Sequence, residues 1–158
     1  FFISLKSMKA EETIDFPIRW AWHRISRIYN LEAQKHGFTM SIGYCLLNID
    51  RKNGTPSTKL GPSMGMESRS LTRTLKTMEE IGFIVRKPDP NDKRMVRIFL
   101  TPLGIEKRTI SRETVIRFNQ VMMEGLEEDE IKAFYKTMFK INQLLDKDGI
   151  FKHEESNI

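Results

Sequence analysis

Two helix signals bracket the segment "GFIVRKPDPNDKRMVRIFLTP", residues 82–102, and leave room between them for a hairpin and little else. Gly82 follows an amphipathic run and suits the left-handed conformation that ends a helix. Thr101 before Pro102 reads as an N-cap followed by a first-turn proline, so a new helix begins where the segment ends. Inside it, "FIVRK" and "MVRIFLT" are rich in β-branched and aromatic residues, and "PDPND" between them is turn chemistry. In the second strand Val96, Ile98 and Leu100 are expected on one side, and Met95, Arg97 and Phe99 on the other. Residues 86–101 carry seven charged side chains and two prolines, so the tip is a charged projection with nothing to bury.

Helices flank this hairpin. "MESRSLTRTLKTMEEIGF" predicts a helix from about Glu67 to Ile81, with Leu71, Leu75 and Met78 as its inner stripe. Ser68, Arg69, Ser70, Thr72, Arg73, Lys76 and Thr77 lie elsewhere on that cylinder, which makes its outer side short, polar and basic. Upstream, Ile14, Ile18, Ile25, Ile28 and Tyr29 recur at helical spacing from Thr13 to about His36. Asp15 is expected to cap that helix, with Pro17 in its first turn and Gly37 as its stop. Trp20, Arg24, Arg27 and Leu31 mark a second face suited to a partner chain. Residues 39–49 form a short second helix capped by Thr39 or Ser41. "GTPSTKLGPSM" begins a third, with Thr55 as N-cap and Pro56 at the first helical position; Pro62 is expected to end it near Gly61, because proline removes one helical hydrogen bond. Downstream, the helix from Pro102 to Glu124 spreads its apolar residues too widely for one stripe, which calls for two partners. The last helix opens on "EEDE" and carries Ile131, Phe134, Tyr135, Met138, Ile141, Leu144 and Leu145 in a seam of spacing three and four. The tail "DGIFKHEESNI" is expected to fray.

Composition narrows the function classes. A chain of 158 residues, 39% hydrophobic and 30% charged, suits one soluble globular domain with an oligomerisation element. The opening "FFISL" is too short for a signal core and has no cleavage site after it, so no export signal is expected. The chain opens on Phe rather than Met, which leaves its natural start open, Met8 lying near a candidate. A lone cysteine, Cys45, excludes an internal disulfide framework and fits a reducing cytoplasm. It sits among Tyr44, Leu46 and Leu47 with no cationic neighbour in sequence, so a packed side chain is favoured over a redox sensor. His23, His36 and His153 lack metal-ligand spacing, and no phosphate loop, nucleophile elbow or H-E-x-x-H motif occurs. No metal, cofactor or enzymatic activity is expected. The net charge of +5 is uneven: residues 51–103 hold eleven Lys/Arg against five Asp/Glu. A basic excess confined to the middle third suits a surface that meets a polyanion.

The order helix, helix, helix, helix, two-stranded hairpin, helix, helix is that of a winged helix-turn-helix, mainly α with a small β wing. Such a module lays its second helix in the DNA major groove and reaches along the backbone or into the minor groove with the hairpin. Residues 65–104 also resemble the recognition helix and wing of MarR-type transcriptional regulators, through Thr72-Arg73, Met78-Glu79, Gly82-Phe83, Arg86, Asp89, Asp92, Arg94, Leu100-Thr101 and Gly104. Gly61 and Pro62 depart from that pattern. The flanking helices extend the likeness to roughly residues 13–147.

The resemblance implies a cytoplasmic homodimer, helical over 13–37 and 103–147 for dimerisation, with a winged lobe over 39–102. It would act as a repressor on a pseudo-palindromic operator whose half-sites lie about 10 base pairs apart. On the recognition helix the expected DNA contacts are Ser68, Arg69, Ser70, Thr72, Arg73 and Lys76, with Arg69 the first choice for base reading. Ser57, Thr58 and Lys59 are expected at the phosphate backbone. In the wing, Arg94 is the expected minor-groove probe, its guanidinium held by Asp92, with Lys93 and Lys87 on phosphates. Arg86 and Arg97 suit phosphate contacts or internal salt bridges equally. The resemblance further implies a small aromatic or anionic effector in a pocket to which Trp20, His23 and Tyr44, together with Trp22, Tyr29 and methionines, are candidates. Two competing readings are a winged-helix module that binds protein or RNA, and a thiol-based regulator acting through Cys45.

Overall fold

The computed structural model describes residues 9–90 and 92–146. The opening octapeptide, Asn91 of the hairpin turn, the tail expected to fray and His153 lie outside the described residues. A short 3-10 turn at Ala10–Glu12 precedes α1 (Asp15–Gln34), α2 (Met40–Asn48), β1 (Thr55–Pro56), α3 (Ser57–Met64), α4 (Ser68–Glu80), β2 (Ile84–Pro88), β3 (Val96–Leu100), α5 (Pro102–Glu124) and α6 (Glu128–Leu145). The chain divides into two compact units, one ending at Val115 and one beginning at Ile116.

The first unit holds the core. Leu46 and Cys45 of α2, Leu60 of α3, Met78 of α4, Ile84 of β2 and Ile98 of β3 are all fully buried, together with Ile49. Leu71 and Leu75 complete the inner stripe of α4 as its spacing predicts. In the second unit no residue of α6 is buried, and Phe139 and Leu145 are 66% and 61% exposed.

Three local expectations change. Asp15 is the first residue of α1 and caps nothing: Ile14 before it is already helical, with φ −64 and ψ −35, so Asp15 serves as an acid at the positive helix end. Thr55 and Pro56 form a strand, not a helix start. They pair antiparallel with β3, Thr55 opposite Ile98 and Pro56 opposite Arg97, giving a three-stranded sheet of order β1-β3-β2 in place of a two-stranded hairpin. Proline is tolerated there because β1 is an edge strand. Pro62 does not end α3, which runs on to Met64. Gly65 at φ +60 then turns the chain, while the Gly65 and Met66 N–H groups donate to the carbonyls of Pro62 (3.4 Å) and Gly61 (3.1 Å). Both terminal carbonyls are thereby satisfied in the pattern that closes many helices.

The exit of the wing is locked to the exit of α4. The Thr101 N–H donates to the Phe83 carbonyl at 3.0 Å. The Thr101 hydroxyl donates to the Gly82 carbonyl at 2.6 Å and accepts from the Gly104 N–H at 3.0 Å, which makes Thr101 the N-cap of α5 as expected. The approach is so close that a Cβ on Gly104 would lie 1.9 Å from the Phe83 carbonyl oxygen.

The base of the wing is fixed by charge. Asp89 is 2% exposed, and its carboxylate receives the Arg97 Nε–H at 2.8 Å. The same guanidinium donates through Nη1 to the carbonyls of Asn53 (3.0 Å) and Gly54 (3.2 Å), tying the wing to the turn that enters β1. Removing one member of a buried pair leaves the other desolvated and unpaired, which is the costly case.

Both contacts make predictions for denaturant unfolding. Gly104→Ala is expected to lower the unfolding free energy by about 3 kcal/mol or more, since backbone must move to admit the methyl. Gly82→Asn, at φ +76 with open space around it, is expected to lose no more than about 1 kcal/mol; equal losses would contradict the close approach at Gly104. Asp89→Asn is expected to cost about 2–3 kcal/mol, and a loss within error of zero would show that Arg97 is satisfied without the carboxylate.

Candidate nucleic-acid interface

The helix-turn-helix is built by α3, the turn at Gly65 and α4. With Leu71, Leu75 and Met78 buried, the positions Arg69, Thr72, Arg73 and Lys76 fall on one continuous stripe on the opposite side of the helix, and all four are exposed. Among the described residues neither Arg69 nor Arg73 forms an ion pair, while Lys76 lies 3.8 Å from Glu80 in a weak surface pair. Glu67 occupies the N-cap position of α4 but makes no side-chain capping bond, so the first N–H groups of the helix face outward unclaimed by a cap. Such a terminus favours anions.

Hydroxyl chemistry separates the expected contacts. The Thr72 hydroxyl donates to the Ser68 carbonyl at 2.8 Å, so its proton is directed back into the helix and its oxygen is left as an acceptor. Ser68 and Ser70 are exposed and carry no such bond among the described residues, which leaves them the better donors toward phosphate. At the start of α3, Thr58 and Lys59 are exposed and Ser57 half-buried.

In the wing, Lys93 and Arg94 are exposed, and among the described residues their side chains have no ionic partner. Asp92 does not hold the Arg94 guanidinium: its carboxylate accepts the backbone N–H of Arg94 at 3.0 Å, shaping the turn. The carboxylate that grips an arginine in the wing is Asp89, and its partner is Arg97. The turn decides this, because the chain re-enters the sheet with the Asp89 N–H donating to the Met95 carbonyl at 2.9 Å, which carries the Asp89 side chain inward. Lys87 lies over the Phe99 ring, 5.4 Å from its centroid, and stays exposed. Arg86 is committed to Glu79 at 2.9 Å, a bridge from β2 to α4, so it is the internal alternative that applies to both Arg86 and Arg97.

A separate cavity of about 360 Å³ lies within the first unit. Tyr44 lines it, as do Trp22 and Tyr29, but Trp20 and His23 do not. Helix phase explains the difference: Trp22, Tyr29 and Ala33 share one side of α1, whereas Trp20 is turned away and stacks on Phe16 with centroids 6.2 Å apart. Met40, Met64, Met66, Ser111 and Thr114 complete walls that spacing along the chain has no means of assembling. Cys45 is apart from this cavity, fully buried, and burial pushes its thiol up to about 12.

Comparison with known proteins agrees with this geometry. The MarR family model matches residues 38–96, which span α2 to the start of β3. The HTH-type transcriptional regulator BilQ of Clostridium symbiosum is 23% identical over 112 residues, covering 71% of this chain and 78% of that one. The HTH-type transcriptional regulator TtmR of Methylorubrum extorquens is 32% identical over 89 residues, or 56% of this chain and 46% of its own length. Among solved structures, a Staphylococcus aureus MepR–DNA complex superposes with a TM-score of 0.77 at 18% identity, covering 83% of this chain and 97% of that chain. The transcriptional regulator SlyA superposes with a TM-score of 0.75 at 24% identity, covering 84% and 93%. The winged-helix segment of this chain matches the MarR family model, and the chain has the fold of the regulators on which it superposes.

Proposed function

We infer that the protein is a sequence-specific DNA-binding transcriptional regulator of the MarR family. The observation that carries this reading is the exposed stripe Arg69, Thr72, Arg73 and Lys76 on the side of α4 opposite its buried stripe, with its two arginines free of ion pairs among the described residues. A helix of this kind fits the major groove, where an arginine can chelate a guanine edge; Arg69 is assigned that role and Arg73 a phosphate. Ser68 and Ser70 donate to phosphate near the helix N-terminus, with Ser57, Thr58 and Lys59 along the same backbone. Arg94 enters the minor groove from the wing tip, and Lys93 and Lys87 meet phosphates beside it. The S. aureus relative solved as a DNA complex has the same fold. The role is regulation rather than catalysis.

The acting form is a homodimer, organised as a winged lobe over residues 39–102 and dimerisation helices over 13–37 and 103–147. Support comes from apolar residues left in water within each unit: Ile14, Trp20 and Leu31 of α1, and Phe134, Phe139 and Leu145 of α6. Exposed apolar area of this extent marks an interface. Two lobes then meet a pseudo-palindromic operator and exclude other proteins from it, which is repression. A small effector in the first unit's cavity would release DNA only by favouring one arrangement of the lobes over another. Among the described residues, no helix is long and apolar enough to cross a membrane.

The thiol-sensor alternative is disfavoured by Cys45 itself. The thiolate is the reactive form, and a fully buried thiol pushed up to about 12 supplies almost none near neutrality. Native protein treated with iodoacetamide at pH 8 is expected to leave Cys45 unlabelled, with labelling on unfolding in urea; native labelling at the rate of a free thiol would revive the sensor.

Anisotropy titrations of a labelled duplex across a salt series test the DNA reading. Arg94→Ala is expected to weaken binding and to lower the slope of log affinity against log salt by about 0.9 for each phosphate that is no longer neutralised. Unchanged affinity and slope would remove the wing from the mechanism.

A further inference from the structure

An open depression of about 530 Å³ lies within the first unit, where the turn after α2 meets α5. Its charged lining is Arg51 and Lys52 of the turn, Arg108 of α5 and one acid, Asp50. Among the described residues none of the three cations forms an ion pair. The Asp50 carboxylate is turned to its own backbone, where Oδ1 accepts the N–H groups of Lys52 at 2.9 Å and Asn53 at 2.6 Å. Those bonds, the one from Asn53 first, hold its carboxyl below the usual carboxylate range. Three cations against one such carboxylate leave two positive charges in the depression.

Arg108 is short of acceptors. It is half-buried, its Nε is buried without an acceptor, and its one hydrogen bond among the described residues is long, from Nη2 to the Leu47 carbonyl at 3.4 Å. A guanidinium carries five N–H donors in a planar fork, and burial raises the cost of leaving them unmatched. The helix end beside it is already closed by other side chains. The Tyr44 carbonyl takes the Asn48 side-chain amide at 2.9 Å, and the Asn48 carbonyl takes the Thr55 hydroxyl at 3.4 Å. The negative end of α2 is thereby satisfied rather than left open to the depression. The place is also separate from the surface assigned to DNA. Since β1 runs antiparallel to β3 with Thr55 opposite Ile98, the turn before β1 lies toward the α5 end of β3 and away from the wing tip.

We propose that this depression binds a small phosphate-bearing anion, held by Arg51, Lys52 and Arg108. Two surplus positive charges match a phosphate dianion, whereas a monocarboxylate neutralises only half of them. A guanidinium fork meets two phosphate oxygens at once, and the lysine adds a point charge. The site stands on its own residues, while its effect on DNA rests on the regulator reading above. Asn53 and Gly54, which end the same turn, hold through their carbonyls the Arg97 guanidinium that anchors the wing. An anion that ties this turn to α5 therefore steadies the wing's anchor, and a wing already in place binds DNA at a lower ordering cost.

The test is a phosphorus NMR titration of the full chain with inorganic phosphate and with glycerol 3-phosphate, at an ionic strength held constant with sodium chloride. Saturable binding is expected, weakened at least tenfold in the double variant Arg51→Ala/Lys52→Ala, which changes two exposed turn positions. Arg108→Met, which keeps the packed stem, is expected to act alike, and Arg69→Ala/Arg73→Ala is expected to leave binding unchanged. Binding of the ester assigns the site to a phosphorylated metabolite, and binding of inorganic phosphate alone assigns it to the free ion. Absence of saturable binding by either would overturn the proposal, as would binding that survives Arg51→Ala/Lys52→Ala or acetate competing as well as phosphate. Loss of binding in Arg69→Ala/Arg73→Ala would also overturn it, by putting the anion on the DNA surface. A DNA titration at the same ionic strength separates the two readings, because the bound anion is expected to tighten DNA binding in the wild type and not in Arg51→Ala/Lys52→Ala. Phosphate binding at this site with unchanged DNA affinity supports the site and overturns its effect on DNA; phosphate binding without any DNA binding supports the site and overturns the regulator reading.

Discussion

The Arg97 guanidinium is bonded at once to the wing and to the turn that enters β1 ahead of the helix-turn-helix. It reaches Asp89 Oδ2 at 2.8 Å and the carbonyls of Asn53 and Gly54 at 3.0 and 3.2 Å. The Asp89 carboxylate is desolvated, and a wrong turn at the tip would cost it the charge-assisted bond from Arg97. Its pairing therefore fixes where the tip begins, and with it the position from which Lys93 and Arg94 project. The register of β3 between β1 and β2 has the same consequence at the other end. Arg97 sits opposite Pro56 on one side and Lys87 on the other, so the anchor lies in the middle of the sheet.

Basic side chains in the first unit divide into those that hold the structure and those left free to bind. Arg86 is spent on Glu79 and Arg97 on Asp89, whereas Arg69, Arg73, Lys93 and Arg94 keep their charge exposed. The division puts cationic charge on the outer stripe of α4 and at the wing tip, where each phosphate neutralised releases counterions. The cavity is organised on the opposite principle. Its wall has aromatic rings, methionines and the Ser111 and Thr114 hydroxyls, which donate back into α5, and among the described residues no Lys, Arg, Asp or Glu.

What could be read in the residues was what local chemistry decides. The inner stripe of α4, the Gly82 stop and the Thr101-Pro102 start of α5 each follow from spacing or from one residue's backbone preference, and all three stand in the structure. What escaped was decided across the chain. Thr55-Pro56 has the chemistry of a helix start, and only the edge of β3 makes it a strand. Pro62 removes a single bond from α3, and the closing bonds at Gly65 and Met66 allow the helix to continue past it. Asp89 and Asp92 look alike between the prolines and the strand, yet the return of the chain at Met95 sends one inward to a guanidinium and leaves the other bonded to backbone. For the cavity, the residue types were visible but the phase of α1 was not, which is why Trp22 and Tyr29 line it and Trp20 does not.

Selection of the full chain on a library of random duplex DNA tests the central claim most directly, because two copies of one winged lobe must leave their symmetry in the sequence they choose. The expected result is enrichment of an inverted repeat whose half-site centres lie about 10 base pairs, or a multiple of that, apart. Recovery of no enriched sequence, or of a lone half-site without its inverted mate, would contradict the account.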